Sequence, residues 1–137
     1  FIGWALKSKS QILRIPSSRG EKTKIELRSP DSSANPYLVL ASILAAGLDG
    51  IKNEVHPPKN MEENLNNLSK KELENREISL LPGNLDEAIQ AFEEDTFLSQ
   101  VLGADFAGRL IEMKRSEWED YIQQVTDWEI DRYMYHI

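Results

Sequence analysis

The sequence predicts an α+β fold, with a few antiparallel strands at the N-terminus followed by a mainly helical region. Three observations predict this division. Apolar and polar side chains alternate within the first 30 residues, an Asn35-Pro36 pair precedes a long apolar stretch, and helix-capping patterns recur from residue 69 onward. We expect one domain over residues 1–137, with strands in 1–30 and helices in 31–137, the strands being part of a larger sheet or barrel.

Three strands are expected near the N-terminus. They occupy residues 1–6, 11–15 and 22–28. In the third strand Lys24, Glu26 and Arg28 point to one face and Ile25 and Leu27 to the other, because side chains alternate along a strand. The sequence therefore predicts a charged sheet face.

The helical region begins at Asn35, which can cap a helix, and Pro36, which suits a first helical position. Residues 37–48 are almost all apolar, which predicts a buried helix ending near Gly50, where Leu44→Ala costs roughly 2–5 kcal/mol of stability. Residues 53–68 are polar and predict a surface loop. Further helices are expected to start at Ser69, Asn84, Ala104 and Thr126, the last one reaching Tyr135.

Composition limits the class of ligand. The chain carries a net charge of −7 and no cysteine, which excludes disulfides and thiol chemistry and suits a cytoplasmic protein. No apolar run approaches the ~20 residues of a membrane span, so we expect no membrane partner. The negative net charge of the chain argues against nucleic acid as a binding partner. A basic zone in the first 28 residues suits a small anionic ligand instead. That zone contains Lys7, Lys9, Arg14, Arg19, Lys22, Lys24 and Arg28.

Two interpretations of the charged face stay open from the residues alone. It can be a solvated outer face with cross-strand ion pairs, in which Lys9, Arg14 and Arg19 are ordinary surface charges. It can instead line a cleft, where Glu26 binds a divalent metal and the flanking cations bind phosphate or carboxylate. One glutamate is too few ligands, so the second interpretation needs further ligands from elsewhere. His56 and His136 are isolated and are expected on the surface.

Several linked motifs resemble the C-terminal part of the catalytic domain of a class I bacterial glutamine synthetase, of the Gram-positive type. They are residues 12–16, 18–20, 25–31, 34–38, 45–51, 81–88, 117–119 and 125–133. The resemblance covers essentially all 137 residues. It implies an ATP-dependent ligase that forms glutamine from glutamate and ammonia through a γ-glutamyl phosphate.

The resemblance also implies roles for individual residues. Glu26 would be a ligand of Mg²⁺ or Mn²⁺, and Arg28 and Arg14 would be catalytic. ATP would contact Lys9, Arg14 and Lys24, and glutamate would contact Arg28 and Arg19. The family usually has arginine in place of Lys9 and Lys24, and Asn66 replaces a regulatory tyrosine of some members.

The family assembles as a homododecamer of two stacked hexamers, with a C-terminal tail that meets a repressor in some members, which implies the same partners here. The chain begins at Phe1 and lacks the family's other metal-ligand glutamates, so we expect a fragment that is inactive alone. Two alternatives stay open. One is a divergent ligase that joins glutamate to another amine, and the other is a non-catalytic assembly or regulatory module.

Overall fold

The computed structural model describes residues 1–134, which belong to two compact units, Phe1–Gly83 and Asn84–Ile137. A small sheet at the N-terminus is followed by helices, so the predicted α+β class is confirmed. One domain over the whole chain stays a prediction. Tyr135, the expected end of the last helix, and His136, expected on the surface, lie outside the described residues.

The sheet of the first unit has three strands in the order β1-β2-β3. They are Trp4–Ala5, Leu13–Arg14 and Glu26–Leu27. Each strand lies inside its predicted segment but has only two residues. β2 and β3 pair antiparallel, as predicted, whereas β1 and β2 pair parallel, with Trp4 opposite Leu13. The parallel pairing is possible because residues 6–12 carry the chain back past β1 before β2 begins.

The long apolar helix α1 spans Pro36–Lys52, two residues beyond the expected end at Gly50. Its predicted cap is confirmed, because the Asn35 side chain accepts hydrogen bonds from the backbone N–H groups of Tyr37 (3.0 Å) and Leu38 (3.4 Å). The predicted burial is wrong for the described residues: α1 has no buried residue, and Leu44 is 63% exposed. An apolar helix is buried only where other elements cover it, and no strand or helix within residues 1–134 packs extensively on α1.

Residues 53–68 also differ in part from the prediction. They hold no strand or helix before a short 3₁₀ turn at Leu65–Asn67, but Leu65 is fully buried. The polar composition of the segment gives no sign of this buried side chain, and Ala5 and Gln11 are also buried in the same unit. Helix α2 (Lys70–Asn75) follows.

The capping boxes at Ser69 and Thr126 and the Asn84 cap are confirmed. They open α2, α3 (Leu85–Glu94) and α6 (Asp127–Glu129), and between α3 and α6 lie α4 (Thr96–Leu102) and α5 (Ala104–Ile122). A π-helical turn, Ile130–Met134, follows α6.

The second unit packs α3, α4 and α5 against one another, with Ile89 and Ala107 buried. Gly103 joins α4 to α5 with φ of 89°, a conformation that glycine adopts readily. An ion pair between Arg115 Nη2 and Glu93 Oε1 (2.5 Å) links α5 to α3. Among residues 1–134, no helix has the length and apolar character needed to cross a bilayer.

Stability should depend on Leu65 and not on Leu44. Leu65→Ala removes a fully buried side chain, so we expect the free energy of unfolding to fall by about 2–5 kcal/mol. Leu44→Ala, the same change at an exposed position, should stay within about 0.5 kcal/mol. Urea unfolding of the 137-residue chain measures both, and equal losses would contradict the burial described above.

Candidate functional site

The charged face of the sheet is organised around Glu26. Sheet register places Arg14 of β2 directly opposite Glu26 of β3. Arg14 Nη1 lies 2.9 Å from Glu26 Oε2, and Lys24 Nζ lies 3.1 Å from Glu26 Oε1. The Arg14 and Glu26 side chains are 29% and 28% exposed, and that of Lys24 is 60% exposed. We call these three residues the charged triad.

The charged triad keeps Glu26 ionised. The hydrogen bond from Lys24 is the largest cause of a pKa of Glu26 below its ordinary value; burial is the next largest and opposes it, and the hydrogen bond and charge of Arg14 add to the lowering. A lowered pKa in the folded state stabilises the protein above the ordinary carboxyl pKa, about 4.3, and this contribution is lost as pH falls through the lowered pKa. Glu26 is therefore an anion throughout the neutral range.

Arg14 retains an unused donor. Its Nε atom is buried and has no hydrogen-bond partner among residues 1–134. A buried donor without a partner costs about 1–3 kcal/mol, so an acceptor at this position would be stabilising. Phosphate and carboxylate oxygens are suitable acceptors for a guanidinium group.

The other predicted cations lie on exposed segments. Arg28 continues the β2–β3 pairing through its backbone N–H, which donates to the Ile12 carbonyl at 2.8 Å, while its side chain makes no ion pair within the described residues. Arg19 folds onto its own loop, donating from Nη1 to the carbonyls of Pro16 (2.6 Å) and Ser18 (2.9 Å). Lys9 is exposed.

The structure thus joins Arg14, Lys24 and Glu26 directly. Within residues 1–134 it records no direct bond from Lys9, Arg19 or Arg28 to these three residues.

The described residues do not form a metal site by themselves. Residues 1–134 contain no group of three histidine, cysteine, aspartate or glutamate side chains that could hold a metal ion. Glu26 is a single carboxylate, and its two oxygens already bond to Lys24 and Arg14. Each carboxylate oxygen has a second lone pair, so Glu26 can still contribute one ligand, but two adjacent cations would repel a metal without further acidic groups.

A second organising carboxylate, Glu62, was not predicted. It accepts hydrogen bonds from three successive backbone N–H groups, those of Leu6 (2.7 Å), Lys7 (3.0 Å) and Ser8 (3.3 Å). The bonds from Leu6 and Lys7 are the main reason that the pKa of Glu62 falls to about 2. No local sequence pattern signals this contact, because the partners are 54–56 residues apart in the chain.

Removing the Lys24 charge should raise the pKa of Glu26 toward its ordinary value, because the Lys24 hydrogen bond is the largest cause of the lowering. Lys24→Met tests this, and Lys22→Met, in the neighbouring exposed turn, is the matched control. Carbon-13 NMR titration of the Glu26 carboxyl measures the pKa. An unchanged midpoint in Lys24→Met would show that Lys24 does not hold Glu26 as described.

The chain is similar to proteins of one known family. Residues 1–133 match the family model described as "Glutamine synthetase, catalytic domain". The chain is 41% identical over 134 residues to the glutamine synthetase of Clostridium saccharobutylicum, covering 98% of this chain and 30% of that protein. For the glutamine synthetase of Thermotoga maritima the identity is 40% over 135 residues, covering 98% and 31%. For that of Methanocaldococcus jannaschii it is 43% over 133 residues, covering 97% and 29%.

A solved structure titled "Apo GmaS without ligand" shares the fold. It superposes with a TM-score of 0.73 at 35% identity, covering 98% of this chain and 29% of the other. The chain therefore spans about 30% of the length of the curated relatives it matches. The resemblance predicted from the motifs is confirmed, and this chain belongs to the glutamine synthetase catalytic-domain family.

Proposed function

We propose that the complete protein carrying this chain is an ATP-dependent glutamate–ammonia ligase that forms glutamine. The observation that carries the proposal is the family match along residues 1–133, with named glutamine synthetases at about 40% identity. The charged triad supports it, because a ligase that moves a phosphoryl group needs cations near the phosphate oxygens.

The proposed reaction has two balanced steps. A γ-carboxylate oxygen of glutamate attacks the γ-phosphorus of ATP, the bond to the ADP oxygen breaks, and γ-glutamyl phosphate forms. Ammonia then attacks the acyl carbon of γ-glutamyl phosphate, phosphate leaves with the bonding electron pair, and loss of one proton gives glutamine. Negative charge on phosphate oxygens must be stabilised in both steps, which fixed cations do effectively in a site of low polarity.

Two arginines are the proposed catalytic residues. Arg14 lies opposite Glu26 and pairs with it through Nη1, so the other N–H groups of its partly exposed guanidinium remain as donors for an anion. Arg28 has no ion pair among residues 1–134, so its guanidinium can bind the glutamate carboxylate or the acyl phosphate.

The remaining cations are proposed as binding residues. Lys9 and Lys24 would contact the ATP phosphates with Arg14, and Arg19 would contact glutamate with Arg28. Arg19 uses Nη1 on its own loop and has other N–H donors to offer. Lys24 would have to share its ammonium between Glu26 and a phosphate, which its three donors allow.

Glu26 is proposed as one ligand of the Mg²⁺ or Mn²⁺ that accompanies ATP. Its lowered pKa keeps it anionic, and it has free lone pairs. Because residues 1–134 contain no group of three histidine, cysteine, aspartate or glutamate side chains that could hold a metal ion, the other ligands must come from the rest of the complete protein or from the phosphates. For the same reason we expect the 137-residue chain to be inactive alone.

The assembly of the complete protein is also a proposal. We expect a cytoplasmic homododecamer of two stacked hexamers, in which the C-terminal tail contributes to contacts between subunits or with a repressor. Trp128 and Tyr133 support this, because both rings are largely exposed while packing edge-to-face on each other at 6.1 Å. Exposed aromatic side chains of this kind are common in protein interfaces.

A second candidate function is a ligase that joins glutamate to an amine other than ammonia. Lys9 and Lys24 favour it, because lysine replaces the planar two-pronged contact of arginine with a single point charge. Comparing ammonia with a panel of primary amines as acceptors for the complete protein separates the two candidates. A higher kcat/KM for an amine than for ammonia would replace the first proposal with the second.

Removing Glu26 should abolish turnover of the complete protein. We expect Glu26→Ala to lower kcat about 100-fold or more and to weaken Mn²⁺ binding, because the charged triad loses its only anion. Glu21→Ala, which removes an exposed glutamate in the turn Gly20–Lys22, is the matched control and should leave both unchanged. Phosphate release and manganese titration measure the effects, and circular dichroism checks the fold.

Full activity in Glu26→Ala would show that Glu26 is not part of the active site. Absence of ATP-dependent glutamine formation by the folded, unaltered protein would overturn the ligase proposal itself.

A further inference from the structure

The turn that carries Lys7 and Lys9 is held by a side chain and not by the sheet. Residues 6–10 lie between β1 and β2 and have no ladder partner. Successive N–H groups at Leu6, Lys7 and Ser8 point at the Glu62 carboxylate instead. Glu62 Oε1 accepts from Leu6 and from Asn60 Nδ2 (3.0 Å), and Oε2 accepts from Lys7 and Ser8.

The position of Glu62 is itself fixed. On its N-terminal side, the backbone N–H of Met61 donates to the Trp4 carbonyl at 3.0 Å, and the Met61 carbonyl accepts from Gln11 Nε2 at 2.6 Å. On its C-terminal side, the backbone N–H of Leu65 donates to Ser10 Oγ at 3.2 Å. Gln11 is 2% exposed and Leu65 is fully buried, so both anchors belong to the core.

Gly3 lies close to this segment. A Cβ atom on Gly3 would lie 2.2 Å from Met61 Cε, so another residue at position 3 would displace the end of the methionine side chain. The hydrogen bonds on both sides of Glu62 hold its carboxylate against the turn, and its two oxygens accept from the three N–H groups.

We infer that Glu62 is a positioning residue, which fixes the backbone turn 6–8 and thereby sets the approach of the following Lys9 to the ATP phosphates. This inference rests on the proposed function for the assignment of Lys9 to ATP. Glu62 touches neither the charged triad nor any proposed substrate position in the described residues, so it acts only through the turn. Its low pKa means that it is ionised throughout the neutral pH range.

The neighbouring Glu63 provides a matched control. Its carboxylate pairs with Arg76, and its contribution to the turn comes from its backbone carbonyl, which accepts from Ser8 Oγ (3.1 Å) and Ser10 Oγ (3.3 Å). Glu63→Gln keeps that carbonyl. Glu62→Gln, in contrast, directs an amide NH₂ group at one or two backbone N–H donors, whichever way the amide is turned.

The test uses the complete protein in four forms: unaltered, Glu62→Gln, Glu62→Asp and Glu63→Gln. Hydrogen exchange of the Leu6, Lys7 and Ser8 amides measures the turn, and calorimetric titration with ATP measures the dissociation constant. We expect Glu62→Gln to speed exchange at these three amides and to weaken ATP binding, each by about tenfold or more. Glu63→Gln should match the unaltered protein, and Glu62→Asp, which keeps the charge on a shorter side chain, should fall between.

The results separate this inference from the proposed ligase activity. Faster exchange in Glu62→Gln with unchanged ATP affinity overturns the positioning role, and so does weaker ATP binding with unchanged exchange. If Glu62→Gln fails to fold, Glu62→Asp decides by the same two measurements, and its identity with the unaltered protein in both overturns the inference. ATP binding without glutamine formation in the unaltered protein would contradict only the proposed function.

Discussion

Hydrogen bonds join residues 4–11 to residues 58–65, and we call this contact the seam. The seam holds the first unit together. The strands are two residues long, and strands of that length form too few backbone hydrogen bonds to stabilise a sheet by themselves. The seam supplies what they lack: Trp4 Nε1 donates to the Pro58 carbonyl at 2.7 Å, Gln11 reaches the Met61 carbonyl, and Glu62 collects three backbone N–H groups. Because β2 follows directly from the seam, the position of Arg14 depends on it.

Two glutamates organise the basic zone in different ways. Glu26 neutralises part of the positive charge of Arg14 and Lys24 through side-chain contacts on the sheet face. Glu62 instead accepts hydrogen bonds from the backbone N–H groups of Leu6, Lys7 and Ser8. Glu26 therefore belongs to the proposed metal and nucleotide site. Glu62 holds the turn before Lys9, which is proposed to contact ATP. Both pKa values are lowered, so both groups are anionic at neutral pH.

Local patterns predicted the parts of the fold that depend on near neighbours in sequence. Asn35, Ser69 and Thr126 cap the helices expected of them, because a cap is a contact over two or three residues. Alternation in residues 24–28 placed Lys24 and Glu26 on one face, and the observed ion pair agrees with that placement. Family motifs then supplied the proposed roles, which spacing alone left open.

What the sequence did not predict depends on partners far away in the chain. The burial of α1 was wrong among the described residues because periodicity reports apolar character and not what covers it. Glu62 and Leu65 were assigned to a polar surface loop because their partners lie more than 50 residues earlier. Their neighbours are asparagines, lysines and glutamates, which gives no local sign of a core contact.

We propose that metal and nucleotide phosphates meet at the sheet face formed by Arg14, Lys24 and Glu26. A crystal structure of the complete protein with Mn²⁺ and a non-hydrolysable ATP analogue tests it most directly, since manganese is located by its anomalous scattering. The account predicts a manganese peak in direct contact with a Glu26 carboxylate oxygen, with a phosphate oxygen bonded to Arg14. Bound Mn²⁺ and nucleotide elsewhere, with Glu26 still bonded only to Lys24 and Arg14, would contradict it.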